Sequence, residues 1–345
     1  MIRFNCDYDE GAHEKILEKL LATNLEQTPG YGMDDYCEQA REKIKSVCHT
    51  GGDVHFLVGG TQANLTVISA ALRAHQGVLA AETAHIHVHE TGAVEACGHK
   101  ILTLPEKDGK ITANQVKETY LAHREDESFE HIVQPKMVYI SNPTEFGSIY
   151  SKEELEQLSR VCKECGFYLY LDGARLGYGL AAGGNDLTFA DLARLCDVFY
   201  IGGTKVGALF GEAVVITNPE LKEDFRYLIK QKGGMLAKGR LLGIQFLTLF
   251  EDELYLKISC HAIEMANLLR EAFTEAGYPF LVENTTNQIF PIMPDRVLDQ
   301  LRKNYSFAYQ QRVDEEHSAV RFCTSWATKR EHVEALIRDL KNTGE

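Results

Sequence analysis

The chain contains no long apolar run: stretches such as VLAA at 78–81 and VFYI at 198–201 fall far short of the roughly 20 residues that span a bilayer. No membrane helix is expected. Positive charge is also scarce, with 36 Lys+Arg against 50 Asp+Glu and a formal net charge of −14. A protein that neutralises phosphate backbones needs clustered Lys and Arg, so nucleic acid is excluded as the main partner. With 8 prolines and no repeat or low-complexity tract in 345 residues, disordered, collagenous and coiled-coil classes drop out. The first residues, MIRFNCDYDEGAHEK, hold no apolar signal stretch and carry acids early, and the expected location is the cytoplasm. Nine cysteines, an odd number scattered through regular segments, suit free thiols in a reducing compartment. Cys162 and Cys165 form a lone CxxC within a helical pattern, with no second pair at zinc-binding spacing, and neither a metal site nor a disulfide is expected.

What is present is alternation. Short, nearly continuous apolar runs at 54–58, 78–81, 100–104, 136–141, 167–172, 197–202 and 211–217 are separated by segments with helical periodicity. Such runs belong to a sheet covered on both faces, so an α/β fold with a mainly parallel seven-stranded sheet is expected. Beyond about residue 220 the pattern changes to long helical stretches, 221–251 and 254–276, then short runs at 280–283, 288–293 and 320–324 and helices at 295–303 and 329–342. The expected organisation is an N-terminal segment, 1–35, packed on the small domain or on a partner subunit, a large α/β domain, 36–250, and a small α+β domain, 251–345.

In open α/β sheets ligands bind beyond the carboxyl ends of the strands, so polar residues placed there are examined first. Gly59-Gly60-Thr61-Gln62-Ala63-Asn64 lies between a strand and a helix, where glycines and free first-turn N–H groups form an anion cradle; a plain strand-to-helix turn is the alternative. Asp172 ends the strand of YLYLDGARLG, three residues before Arg175; it is an ion-pair partner or helix cap, or the counter-charge of a protonated ring nitrogen. Lys205, in DVFYIGGTKVGALFGEAVV, sits between two apolar strands, surroundings that disfavour its charged form and suit a Schiff-base nucleophile. Cradle, strand-end Asp and strand-flanking Lys match the phosphate, ring nitrogen and aldehyde of pyridoxal 5′-phosphate.

Across nearly its whole length the sequence resembles the low-specificity threonine aldolases of the β-eliminating lyase group, fold-type-I pyridoxal-phosphate enzymes. The resemblance rests on NCDYDEGAHEKIL at 5–17, GYGMDDY at 30–36, GGTQAN, AHIHVHETGA at 84–93, LDGARLG at 171–177, GGTKVGALFGEA at 202–213 and VRFCTSW at 320–326. It implies an aspartate aminotransferase-like large domain and retro-aldol cleavage of threonine or allo-threonine to glycine and acetaldehyde. Another pyridoxal-phosphate lyase or an aminotransferase is the alternative on the same scaffold, and a non-catalytic scaffold the alternative of a different class. By resemblance Lys205 holds the cofactor, Asp172 its ring nitrogen, and Gly60, Thr61 and Gln62 its phosphate. His85 lies against the ring, Glu90 serves either as a water-linked base or as a helix-start carboxylate facing the dipole, and Arg175 and Arg321 grip the substrate carboxylate.

The chain departs from the commoner pattern in three places. SNPTEFG replaces an ENTHN-like segment and sets Thr144 and Glu145 near the substrate hydroxyl. GGMLAKGR lacks the usual arginine, which makes Lys238 the nearest cation for the phosphate. Asn5 and Cys6 stand around the position of an N-terminal serine, so Cys6 is a candidate carboxylate contact. The resemblance further implies a homodimer or a dimer-of-dimers tetramer, with Tyr31 reaching a neighbouring subunit's site.

Overall fold

A computed structural model describes residues 1–342. Seven strands form the central sheet and are numbered in chain order: β1 (Asp53–Leu57), β2 (Gln76–Ala81), β3 (Lys100–Leu104), β4 (Gln134–Ser141), β5 (Tyr168–Asp172), β6 (Val198–Gly202) and β7 (Glu212–Ile216). Their spatial order is β1-β7-β6-β5-β4-β2-β3. Only β7 runs against its neighbours, pairing antiparallel with both β1 and β6, while the pairs from β6 to β3 are parallel. Every residue of β6 and β7 is buried, as expected of strands covered on both faces. The mainly parallel seven-stranded sheet anticipated from the apolar runs is therefore present.

The covering helices start where the sequence supplies caps. Ser151 and Glu154 form a capping box at helix Lys152–Cys165, which ends at left-handed Gly166. Thr112 with Gln115 and Thr188 with Asp191 do the same for helices Ala113–Glu125 and Phe189–Leu195. Helix Gly60–Ala71 differs, since Gly59 gives it no side-chain cap, so the N–H groups of its first turn are left open.

Two buried clusters share one long helix, Leu254–Glu275. Its first half gives Ile258 and Ile263 to the main core; its second half gives Met265, Leu269 and Phe273 to a smaller core with Phe4, Met293, Val320, Phe322 and Leu336. Over that smaller core strand His317–Cys323 pairs antiparallel with Ile292–Pro294, Ala308–Arg312 and Gln288–Ile289. The N-terminal residues Ile2–Arg3 join it through a parallel pairing with Tyr305–Ser306. From there the chain crosses back, and the His13 N–H donates to the Gly207 carbonyl at 2.8 Å before helix Glu14–Ala22.

Two expected segments differ, and one strand was not expected. The continuous helix over 221–251 is broken into Phe225–Gln231 and Arg240–Leu249, because Gly233, Gly234 and Gly239 interrupt it. The run at 280–283 forms only an isolated bridge, Phe280 to Pro291. Strand Ala308–Arg312 (AYQQR) went unrecognised because it is a largely exposed edge without apolar alternation.

Candidate active site

A cavity of about 350 Å³ opens beyond the carboxyl ends of the parallel strands, with Gly60, His85, Asp172, Arg175, Lys205 and Glu212 among its walls. Backbone proximity brings two of these together. A Cβ on Gly173 would lie 1.9 Å from the Tyr200 carbonyl oxygen, so glycine is required for β5 to pass this close to β6. Asp172 ends β5, and Lys205 follows β6 by three residues.

Asp172 is buried, and four donors converge on it. Oδ2 accepts from Tyr139 Oη at 2.6 Å and Asn64 Nδ2 at 3.1 Å; Oδ1 accepts from Tyr200 Oη at 2.5 Å and the Ala174 N–H at 3.0 Å. Burial, with Asp172 close by, pushes both phenols well above the usual tyrosine range, which keeps them as donors. The Asp172–Arg175 pair left open above does not form. Arg175 instead makes a forked pair with Asp7, Nε to Oδ2 at 2.6 Å and Nη2 to Oδ1 at 3.0 Å, and Asn287 Nδ2 donates to the same Oδ2 at 2.9 Å. Burial raises the Asp7 carboxyl, but Arg175, Lys205 and the hydrogen bonds from Arg175 and Asn287 outweigh it and hold it at about 2.

Lys205 faces the same cavity, its Nζ 5.9 Å from the Tyr8 ring centroid. Burial, then Arg175, lowers its pKa; Asp7, Asp172 and Glu212 act the other way. Glu212, at the start of β7, accepts from Thr204 Oγ1 at 2.9 Å and from the Gly203 N–H at 3.2 Å. Burial drives its carboxyl upward.

His85 opens the short helix His85–Val88 and lines the cavity. Its Nδ1 lies 2.8 Å from Glu90 Oε1, which also accepts from Asn64 Nδ2 at 2.7 Å. The Glu90 side chain is wholly buried and is absent from the cavity wall, so it lies behind His85 rather than beside a substrate. Its Oε1 reaches the cavity through His85, and Asn64 holds that same oxygen. A chain of contacts thus runs His85–Glu90–Asn64–Asp172. Glu145 joins this wall, accepting from the His85 N–H at 2.9 Å and Ser141 Oγ at 2.8 Å, with burial raising its pKa.

At the other end the uncapped helix presents Gly60 and Thr61 to the cavity. Gln62 contributes at most its backbone, since its side chain ties the Val58 N–H, at 3.1 Å, to the Lys232 carbonyl, at 3.2 Å. Lys238 is exposed and absent from the walls of this cavity. The expected cation for the phosphate is therefore not supplied within one chain.

A second hollow adjoins the first, sharing Tyr8, His85, Arg175 and Lys205 and adding His89, Gln288 and Arg321. Arg321 donates to Gln288 Oε1 at 3.2 Å and to the Asn5 carbonyl at 3.0 Å, while its Nε is buried without a partner. Burial, then His85, Arg321 and Lys205, lowers the His89 pKa and favours the neutral ring. Cys6 is buried and lines neither hollow; Tyr8, two residues on, lines both. Thr144 touches the cavity, but its hydroxyl is committed to Ser148 Oγ of its own loop and to the Asp108 carbonyl of another. Tyr31, at φ 60°, belongs to a separate hollow with Arg41 and Arg226. Among the described residues no cluster could hold a metal ion.

Sequence reasoning missed Asp7, Asn64, Tyr139, Tyr200, Thr204 and Glu212. One signal was available for the tyrosines. Tyr139 pairs with Tyr170 and Ser141 with Asp172, so alternation puts these hydroxyls on the face that carries Asp172.

The residues present fit pyridoxal phosphate. A Cβ on Gly60 would come within 3.0 Å of Tyr200 Oη, so the uncapped helix end keeps its approach to the cavity only with glycine there. Tyr200 Oη also donates to Asp172, which offers acceptor oxygens beside that helix end, and Lys205 supplies an amine to the same cavity. Sheet topology and these three groups together define the fold-type-I class of pyridoxal-phosphate enzymes. Aspartate aminotransferase from Thermus thermophilus shares the fold at TM-score 0.71 and 17% identity, over 99% of this chain and 91% of that one. The chain belongs to the β-eliminating lyase family, whose family model matches residues 9–295. It is 33% identical to a low-specificity L-threonine aldolase of a Pseudomonas species, over 90% of this chain and 89% of that protein. A solved Leishmania major threonine aldolase superposes at TM-score 0.97 with 43% identity over the whole of both chains.

Proposed function

We propose that this protein binds pyridoxal phosphate through Lys205, Asp172 and the Gly60–Thr61 helix end and cleaves β-hydroxy-α-amino acids between Cα and Cβ, turning threonine or allo-threonine into glycine and acetaldehyde. The observation that carries this reading is His85, pinned by buried Glu90 at 2.8 Å on the wall shared with Lys205 and Asp172. Likeness to threonine aldolases over the full chain supports it. Bound pyridoxal phosphate supplies the electron sink for the pair left at Cα when the bond breaks.

The chain's own residues select and assist that break. Arg321, with an unpartnered Nε, grips the substrate carboxylate, and Arg175, locked by Asp7, stiffens the same wall. Holding the carboxylate fixes which bond at Cα stands perpendicular to the ring plane. With Nδ1 directed at Glu90, the Nε2 of His85 is the ring's free nitrogen and takes the proton of the β-hydroxyl. Glu145, with its pKa raised by burial, holds the His85 backbone in place. Lys205, an amine whose charged form is disfavoured, would hold the cofactor's aldehyde carbon and release it to the substrate amine. A site completed across a homodimer interface, within a dimer or a tetramer, suits the absence of a phosphate cation from this cavity and the exposure of Lys238. A reducing compartment suits the nine unpaired cysteines.

The test is a product assay on the purified protein with pyridoxal phosphate and threonine, allo-threonine, serine and phenylserine. Glycine with aldehyde in equal amounts is expected. Ammonia with a keto acid, or amino exchange with a keto acid, and no aldehyde from any substrate would overturn it.

A further inference from the structure

Glu212 is the buried carboxylate of the cavity for which the mechanism above has no use. It is 3% exposed and lines the cavity together with Gly60, Thr61, Thr204 and Lys205. Its position follows from strand register: on β7 it lies opposite Leu57 of β1 and Gly202 of β6. The first of these strands leads into the Gly59–Gly60 helix end, the second into Thr204 and Lys205. A carboxyl group therefore enters the site between the helix end that would hold a phosphoryl group and the segment that carries Lys205. The other cations nearby are engaged or distant, Arg175 on Asp7, Lys232 on Cys97 Sγ at 3.3 Å and Lys238 exposed. An ionised carboxylate here would repel a phosphoryl dianion with little to screen it.

We propose that Glu212 is the proton-carrying member of the anion cradle: it takes up one proton from solvent as a phosphoryl group settles on the Gly60–Thr61 helix end, and as a neutral acid it donates a hydrogen bond to that group. One O–H bond forms on the carboxyl, and no bond of the phosphoryl group breaks. Thr204 Oγ1 and the Gly203 N–H, one on each carboxyl oxygen, hold the group in place in either state. The titratable groups acting on it are Lys205, which favours its anion, and Asp172, which favours its acid; the phenols of Tyr170, Tyr200 and Tyr255 also feel its charge. Burial of the carboxyl works in the same direction as the phosphoryl charge. The inference rests on the cofactor reading above but not on the identity of the amino-acid substrate.

The experiment is calorimetric titration of the full-length, cofactor-free protein with inorganic phosphate, in two buffers of different ionisation heat, for the wild type and Glu212→Gln. At a pH above the ionisation of Glu212 in the free protein, the wild type is expected to take up close to one proton more per phosphate than E212Q, and its affinity to fall roughly tenfold per pH unit there, beyond any slope shared with E212Q. Thr204→Val, which removes a donor that favours the anion, should extend phosphate binding to higher pH. Equal proton uptake by wild type and E212Q, an opposite shift in T204V, or no competition between phosphate and pyridoxal phosphate would overturn the proposal. Loss of aldehyde production with the proton count intact would instead sink only the aldolase reading.

Discussion

The forked pair of Asp7 with Arg175 joins residues 168 positions apart and ties the N-terminal segment to the wall of the cavity. Asp7→Asn keeps the shape of the side chain and removes its charge. The depression of the Asp7 carboxyl from 3.8 to about 2 corresponds to about 2 kcal/mol of stability. Leaving a buried arginine without its partner costs about 3–5 kcal/mol in general, and the acceptor oxygen kept by asparagine places the expected loss near the lower end, about 2–3 kcal/mol. For a chain of 345 residues, at about 2.1 cal/mol/K per residue, that lowers Tm by about 3–4 °C. Because the folded pKa is depressed, the contribution is complete above the unfolded value near 3.8 and is lost as pH falls through about 2. Thermal melts of wild type and D7N from pH 8 downward should therefore run apart by a constant interval to about pH 5, then converge below about pH 4. Equal melting at neutral pH, or an interval that persists unchanged into acid, would refute the assignment of this stability to the ion pair.

Three further substitutions probe the site. Lys205→Ala should reduce aldehyde production to background and abolish borohydride-trapped attachment of pyridoxal phosphate; a trapped adduct on any other lysine with activity retained would contradict the assignment. Glu90→Gln should lower kcat by roughly tenfold or more with little change in KM, while Asp replacement restores part of the rate; an unchanged kcat would remove Glu90 from the mechanism. Tyr200→Phe deletes a donor to buried Asp172 and should cost about 1–2 kcal/mol in denaturant unfolding and weaken pyridoxal phosphate binding. If Tyr139→Phe and Y200F both bound the cofactor as the wild type does, the four-donor account of Asp172 would fail.

Local patterning made the sheet legible in the sequence. Strands covered on both faces write themselves as apolar runs, and residues that interrupt such runs at their carboxyl ends, Asp172 and Lys205, stand out against them. The helix end at Gly60 was legible for the same reason, although the helix already begins at Gly60, within the segment read as lying before it. Glu212 escaped notice because it opens an apolar strand, where a charged residue reads as a solvated end; only the antiparallel insertion of β7 between β1 and β6 turns that end inward. Lys238 shows the converse. Its motif suggested a phosphate contact, yet the break at Gly233–Gly234 and the turn at Gly239 leave it exposed on the single chain.

The residues that could not be read are those whose partners are far away in sequence. Asn64 meets Glu90 after 26 residues and Asp172 after 108, and neither meeting leaves a local trace. Asn64 sits on the helix whose open end faces the phosphate side, so one helix carries both the cradle and the bridge between the two carboxylates. A shift of that helix toward a bound anion would move Asn64 Nδ2 relative to both Glu90 and Asp172, and with Glu90 the ring of His85. The open helix end, Asp172 and, through Glu90, His85 are thereby joined by one side chain, Asn64.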